Sequence, residues 1–145
     1  MLFRSNRDFF SLVNKDEKIT IVEVGVGSGI ISILLALHFP NAHCIAVDIS
    51  PRALSVARRN IQAFGLEDRI ELREGDLLAC VSEKIDLLVS NPPYIADDVS
   101  LESNLSYEPQ NALFGGSVGD EIIQRLLDEV YVRSKIGRAS CRERV

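Results

Sequence analysis

Four consecutive residues, Asn91-Pro92-Pro93-Tyr94, carry the most specific chemistry in this sequence. A planar nitrogen, such as an amide or an exocyclic amine, is a weak nucleophile because its lone pair is delocalised. The Asn91 side-chain oxygen and the Pro92 backbone carbonyl can accept the two N–H bonds of such a group. That polarises the nitrogen and aims it for an in-line displacement, which is catalysis by orientation and electrostatics. Two prolines stiffen the turn, and Pro92 brings no N–H of its own to compete. Tyr94 offers a ring face against which a flat group can pack. The plainer alternative is a proline turn closing a strand.

A second constellation lies upstream. Glu23-Val24-Gly25-Val26-Gly27-Ser28-Gly29 joins a β-branched run to a helical one. Glycines there let the backbone turn sharply and let a ligand approach without a Cβ in the way, and the helix start behind them offers free N–H groups. A dinucleotide loop would read G-x-G-x-x-G, but position 30 is Ile30, so the pattern is G-x-G-x-G, the form that faces methionine and ribose in adenosylmethionine enzymes. Asp48 follows Gly29 by 19 residues at the end of the next strand. A carboxylate there can accept both hydroxyls of a ribose, or it can serve as a capping acid before Ser50-Pro51. Gly75-Asp76 stands after the third strand, where such folds place an acid near an adenine amino group. Glu23 either faces the amino group of a methionine moiety or holds the loop through hydrogen bonds.

The elements that must position these groups alternate strand and helix, which predicts a parallel α/β sheet. Ile19–Val24 reads as strand one. A helix over Ser28–His38 follows, with Ile30, Ile31, Ile33, Leu34 and Leu37 expected inward, ending at Pro40-Asn41. His43–Val47 reads as strand two. Ser50 caps a second helix with Pro51 at its first position, its apolar face formed by Ala53, Leu54, Ala57, Ile61 and Phe64, and Gly65 closes it. Arg69–Arg73 reads as strand three and Ile85–Ser90 as strand four, which delivers Asn91. Residues 96–119 read as a polar loop, and Asp120–Val132 as a last helix with Ile122, Ile123, Leu126, Leu127 and Val130 apolar. The expected partial sheet has the order 3-2-1-4.

Composition narrows the class. The chain has 145 residues, 46% hydrophobic and 26% charged, enough for one globular domain and too short for two. No run approaches the ~20 apolar residues of a membrane span, and the start of the chain lacks a signal peptide, so a cytoplasmic location is expected. Cys44, Cys80 and Cys141 are scattered, and neither His38 nor His43 stands at ligand spacing, so no metal site is expected. Net charge is −5; the last ten residues contribute +2 from Arg138, Arg142 and Arg144 against Glu143, which leaves −7 for residues 1–135. That balance argues against a surface built to neutralise phosphates.

The Glu23–Gly29 loop, Asp48, Gly75-Asp76 and Ser90-Asn91-Pro92-Pro93-Tyr94-Ile95 together resemble the nitrogen-directed class I methyltransferases. Tyr107-Glu108-Pro109, Ala112-Leu113-Phe114-Gly115-Gly116 and Gly119 are similar to the E-P-x-x-A-L-x-G-G-x-x-G segment of the HemK/PrmC-like family. The resemblance runs from about Ile19 to Val132. It implies a Rossmann-like fold, S-adenosylmethionine as cofactor and a peptide chain release factor as protein substrate, methylated on the N5 nitrogen of the glutamine in a Gly-Gly-Gln motif. Cofactor contacts would fall on Glu23, Gly25, Gly27, Gly29, Asp48, Asp76 and Asn91, and substrate contacts on Asn91, Pro92, Pro93 and Tyr94, with Asn91, Pro92 and Tyr94 catalytic. No strong general base is evident, and the proton can leave after transfer, when the nitrogen is far more acidic.

Glu23 stands where the family often has Asp. The family's N-terminal helical domain and closing strands have no counterpart, so residues 1–135 are expected to be an incomplete domain. Residues 136–145 look like the translation of a sequencing-library adapter, with a natural basic tail as the plainer alternative, and are expected to form no element. Two other functions stand beside the leading one. An adenine-N6 methyltransferase of DNA or RNA would need a basic surface near Asn91, where Asp97, Asp98, Glu102 and Glu108 stand instead. A non-catalytic nucleotide-binding module would lack cofactor-dependent chemistry altogether.

Overall fold

The computed structural model describes residues 14–92, 95–96, 114–116 and 120–142. The chain divides into two compact units, Met1–Asn91 and Pro92–Val145.

The first unit is built on a parallel sheet of β1 (Thr20–Val24), β2 (His43–Asp48), β3 (Ile70–Glu74) and β4 (Leu87–Ser90), in the order β3-β2-β1-β4. Helix α1 (Ile30–His38) links β1 to β2, and α2 (Pro51–Ala63) links β2 to β3. The expected order therefore holds. β1 and β2 are buried along nearly their whole length, the mark of central strands covered on both faces. One face meets the helices: Ile21, Cys44, Ala46, Ile70 and Val89 of the strands cluster with Ile33, Leu35, Ala36, Leu54, Ala57 and Ile61. Phe39, wholly buried just past α1, belongs to the same cluster.

Local chemistry sets the boundaries. Ser50 caps α2 by accepting the Ala53 N–H at 3.3 Å, with Pro51 behind it as expected. Gly65 takes φ +65°, which fits a glycine closing a helix. The start of β4 is tied to β1 reciprocally. Asp86 N–H donates to the Thr20 carbonyl, and Thr20 N–H donates to Asp86 Oδ2, each at 3.0 Å. This sets a register in which Ser90 stands beside Val24, and the Ser90 hydroxyl donates to the Val24 carbonyl at 2.9 Å.

Helix α1 corrects one expectation. Ile30, Leu34 and Leu37 are exposed, by 52 to 58%, while Ser32, Ile33, Leu35 and Ala36 are buried. The helix is apolar almost all round, so hydrophobic spacing alone cannot fix which face turns inward. Phe64, expected on the apolar face of α2, is also exposed.

The second unit contains β5 (Ile95–Ala96) and β6 (Phe114–Gly116), paired in parallel, and α3 (Glu121–Arg142). Both short strands fall at or inside the stretch read as a loop; two- and three-residue strands leave no period to detect. α3 continues ten residues past Val132, so residues 136–142, expected to form no element, are helical. No proline interrupts them, and Gly137 costs a helix only about 1 kcal/mol. Leu126 is buried in this helix, but Leu127 is exposed.

Candidate functional site

All four strands of the first sheet run the same way, so their carboxyl ends share one edge. The order reverses at β1, which lies between β2 and β4, and ligands of open α/β sheets bind at such a switch point. Glu23 ends near it on β1, Asp48 on β2 and Ser90 on β4, while Gly75 and Asp76 follow β3.

The glycine loop leaves β1 directly. Gly25, Gly27 and Gly29 have φ of +77°, +53° and +84°, a region that side chains with a Cβ enter at a cost. Their surroundings separate two roles. A Cβ on Gly25 or Gly27 would meet nothing within 4 Å, whereas one on Gly29 would stand 3.3 Å from Ala57 Cβ. Gly29 thus stands at a tight approach of α1 to α2, while Gly25 and Gly27 leave open space. The loop is braced from below: Gly25 and Val26 N–H both donate to the Val47 carbonyl, at 2.8 and 3.0 Å. From α2, the Asn60 side-chain amide donates to the Ser28 carbonyl at 2.8 Å.

Asp48 is half-buried and holds the loop with its side chain. Gly27 N–H donates to its Oδ2 and Ser50 N–H to its Oδ1, both at 2.9 Å. Each oxygen keeps acceptor capacity beyond that single bond, so the capping role and a ligand-binding role are compatible. Asp48 also reaches the third strand, since Gly75 N–H donates to its backbone carbonyl at 3.1 Å.

Glu23 is almost completely buried, on the same face of β1 as Ile21. Its Oε2 accepts the Ser32 N–H at 2.9 Å and the Ser32 hydroxyl in a short hydrogen bond. Of its two expected roles, this geometry shows the second, the holding of the segment behind the loop. Burial pushes the carboxyl up to about 7; the Ser32 bonds pull it down in part, and Asp48 adds a smaller upward push. A carboxylate at the first turn of α1 also suits the helix dipole. Nothing in the sequence pairs Ser32 with Glu23, although a lone serine in Ile30-Ile31-Ser32-Ile33-Leu34 is a visible irregularity.

Asp76 is exposed in the turn after β3. The next residue, Leu77, is buried yet takes φ +49°, the one non-glycine with positive φ among the described residues. Asn91 is exposed at the end of the first unit, immediately after β4. Pro92 is buried and opens the second unit. Pro93 and Tyr94 lie outside the described residues, as do Tyr107-Glu108-Pro109, Ala112-Leu113 and Gly119. The first unit thus gathers Glu23, the three glycines, Asp48, Asp76 and Asn91 along one sheet edge. Among the described residues no group of three or more His, Cys, Asp or Glu side chains could hold a metal ion, and no helix is long and apolar enough to cross a membrane.

The sequence is similar to known proteins over most of its length. The family model described as methyltransferase small domain matches residues 7–113. A release factor glutamine methyltransferase of Enterococcus faecalis is 45% identical over 123 residues, covering 80% of this chain and 43% of the relative. One of Koribacter versatilis is 40% identical over 132 residues, covering 87% and 46%. A ribosomal protein uL3 glutamine methyltransferase of Burkholderia pseudomallei is 38% identical over 120 residues, covering 76% and 39%. The chain therefore spans less than half the length of these curated relatives. A solved structure from Galdieria sulphuraria, described as a sarcosine dimethylglycine methyltransferase, matches with a TM-score of 0.51 at 18% identity, covering 59% of this chain and 32% of that one. That likeness is one of fold.

Proposed function

The chain belongs to the methyltransferase small domain family, and from that premise we propose that it is the cofactor-binding core of an enzyme that methylates a glutamine side-chain amide in a protein. One observation carries the proposal: Asn91 follows β4 directly, and β4 lies beside the strand whose end opens the glycine loop. A group accepted by Asn91 is thereby delivered to the same sheet edge as the ligand of that loop.

The residues present fit S-adenosylmethionine. Gly25 and Gly27 face open space, Asp48 retains acceptor capacity for ribose hydroxyls, and Asp76 is exposed after β3 to accept from an adenine amino group. When bound, the cofactor supplies an electrophilic methyl on a sulfonium sulfur. Asn91 and the Pro92 carbonyl hold the amide N–H bonds and fix the nitrogen's orientation, which lowers the barrier without a charged base. By the sequence alone, Pro93 would add stiffness there and Tyr94 would offer its ring to the planar amide. The amide proton leaves to water after transfer. Glu23 keeps α1 and the loop in place through Ser32.

The relatives' names support glutamine as the accepting residue, and the charge of −7 over residues 1–135 speaks against a nucleic acid surface. The proposed substrate is a peptide chain release factor, modified at the Gly-Gly-Gln glutamine in the cytoplasm, where translation terminates. A ribosomal protein uL3 glutamine is the second reading, because relatives of that name match nearly as well. Incubation of the whole protein with methyl-labelled cofactor and, separately, release factor, uL3 and nucleic acid tests this. Label in a protein is expected, in release factor first; label in nucleic acid alone overturns the assignment.

A further inference from the structure

Arg73 lies on β3, an edge strand, two residues before Gly75. A guanidinium has five N–H donors, and every one of them is engaged here. Nε and Nη2 donate to the two oxygens of Glu71 at 2.8 and 3.0 Å. Nη1 and Nη2 donate to the two oxygens of Glu83 at 2.9 and 2.5 Å. Nη1 also donates to the backbone carbonyl of Cys80 at 2.9 Å. The side chain is 19% exposed and its carboxylate partners 47% and 38%, so what sets it apart from a solvated pair is the part-buried bond to the Cys80 carbonyl.

The partners lie on both sides of one turn. Residues 75–83 leave β3 with Gly75 bonded to Asp48, and Arg73 grips the far end at Cys80 and Glu83. Between the grips stand Asp76 and the left-handed Leu77. A leucine in that conformation is strained and persists only where its surroundings over-determine it. Space is also tight at the near end, where a Cβ on Gly75 would stand 2.7 Å from Cys80 Sγ.

We propose that Arg73 is a positioning residue that fixes the turn after β3, and with it Asp76, for the adenine end of the cofactor. It rests on the reading of Asp76 given above. Arg73 touches no reacting atom; it sets how well the turn discriminates the base. Lysine keeps the charge but has no fork to bridge Glu71, Glu83 and a carbonyl together, so it should not replace it.

Calorimetric titration of the whole protein with S-adenosylhomocysteine and with S-inosylhomocysteine tests this. The second ligand differs by carrying an oxygen in place of the adenine amino group. Wild type should prefer the adenosyl ligand about tenfold, the worth of one good hydrogen bond and its lost partner. Arg73→Ala and Arg73→Lys should reduce that preference to about threefold or less, with affinity for the inosyl ligand little changed. A general loosening of the fold would weaken both ligands alike and leave the ratio intact. Glu83→Gln, which leaves the guanidinium in place, should give an intermediate ratio and covers the case in which the Arg73 variants fold poorly. A wild-type preference that survives in all folded variants overturns the role of Arg73. The absence of any preference in wild type instead removes the Asp76 reading, and this proposal with it.

Discussion

The Asp48 carboxylate accepts the Gly27 N–H at 2.9 Å, so the acid ending β2 fixes the middle of the glycine loop leaving β1. One side chain thus shapes the loop and presents acceptors to whatever the loop faces. Asp48→Ala removes both functions. It should weaken cofactor binding by about 1–3 kcal/mol, and Asp48→Asn, which keeps one acceptor oxygen, by less. Calorimetric titration with unchanged affinity in Asp48→Ala would remove Asp48 from the site.

The glycines separate folding from binding. Gly29→Ala must hold a left-handed backbone and place a Cβ 3.3 Å from Ala57 Cβ. It should destabilise the fold by more than the about 1–2 kcal/mol of backbone strain alone. Gly27→Ala carries the strain without the tight contact, and its Cβ enters the open space beside Asp48. Denaturant titration should show the larger stability loss for Gly29→Ala, and ligand titration the larger affinity loss for Gly27→Ala relative to its stability change.

Much of the local geometry around the glycine loop was legible in the sequence because its parts are local. G-x-G-x-G, the Ser50-Pro51 cap and Gly65 act within a few residues, and the continuous apolar runs of β1 and β2 mark strands buried on both faces. The orientation of α1 was not legible. Its run of Ile30, Ile31, Ile33, Leu34, Leu35, Ala36 and Leu37 has almost no polar face to phase it. Ser32 and Arg73 escaped for a related reason: each is defined by a partner brought in by the fold, Glu23 in one case and the Cys80–Glu83 segment in the other. β5 and β6 are too short to carry a period.

Glu23 gives the fold a pH dependence of unusual sign for a carboxylate. Its folded pKa, raised to about 7 by burial, exceeds the unfolded value of 4.5. Between those values the folded state binds more protons than the unfolded one, so this contribution to stability falls as pH rises from 4.5 to 7 and is flat above. The decline is on the order of 3 kcal/mol at most. Glu23→Gln keeps an acceptor for Ser32 and should abolish that slope. Glu23→Ala strands the buried Ser32 donors and should cost about 1–3 kcal/mol. Urea titrations at pH 5 and pH 7.5 that show the same slope in wild type and Glu23→Gln would contradict this.

If Asn91 accepts from the methyl-receiving nitrogen, as proposed, it should matter to turnover far more than to cofactor affinity. Asn91→Ala should lower the single-turnover rate on the order of 10²–10³-fold, as loss of one preorganised positioning group does elsewhere. A variant at the full rate would reduce Asn91 to a turn residue.

The proposed reaction places the methyl group on a glutamine amide nitrogen. Peptide mapping by mass spectrometry, after incubation of the whole protein with cofactor and release factor, addresses it at the level of the atom acceptor. One added methyl is expected on the Gly-Gly-Gln glutamine, absent when that glutamine is replaced by glutamate and absent with Asn91→Ala on the same timescale. A methyl on another residue type, or one that persists when every candidate glutamine is replaced, would contradict it.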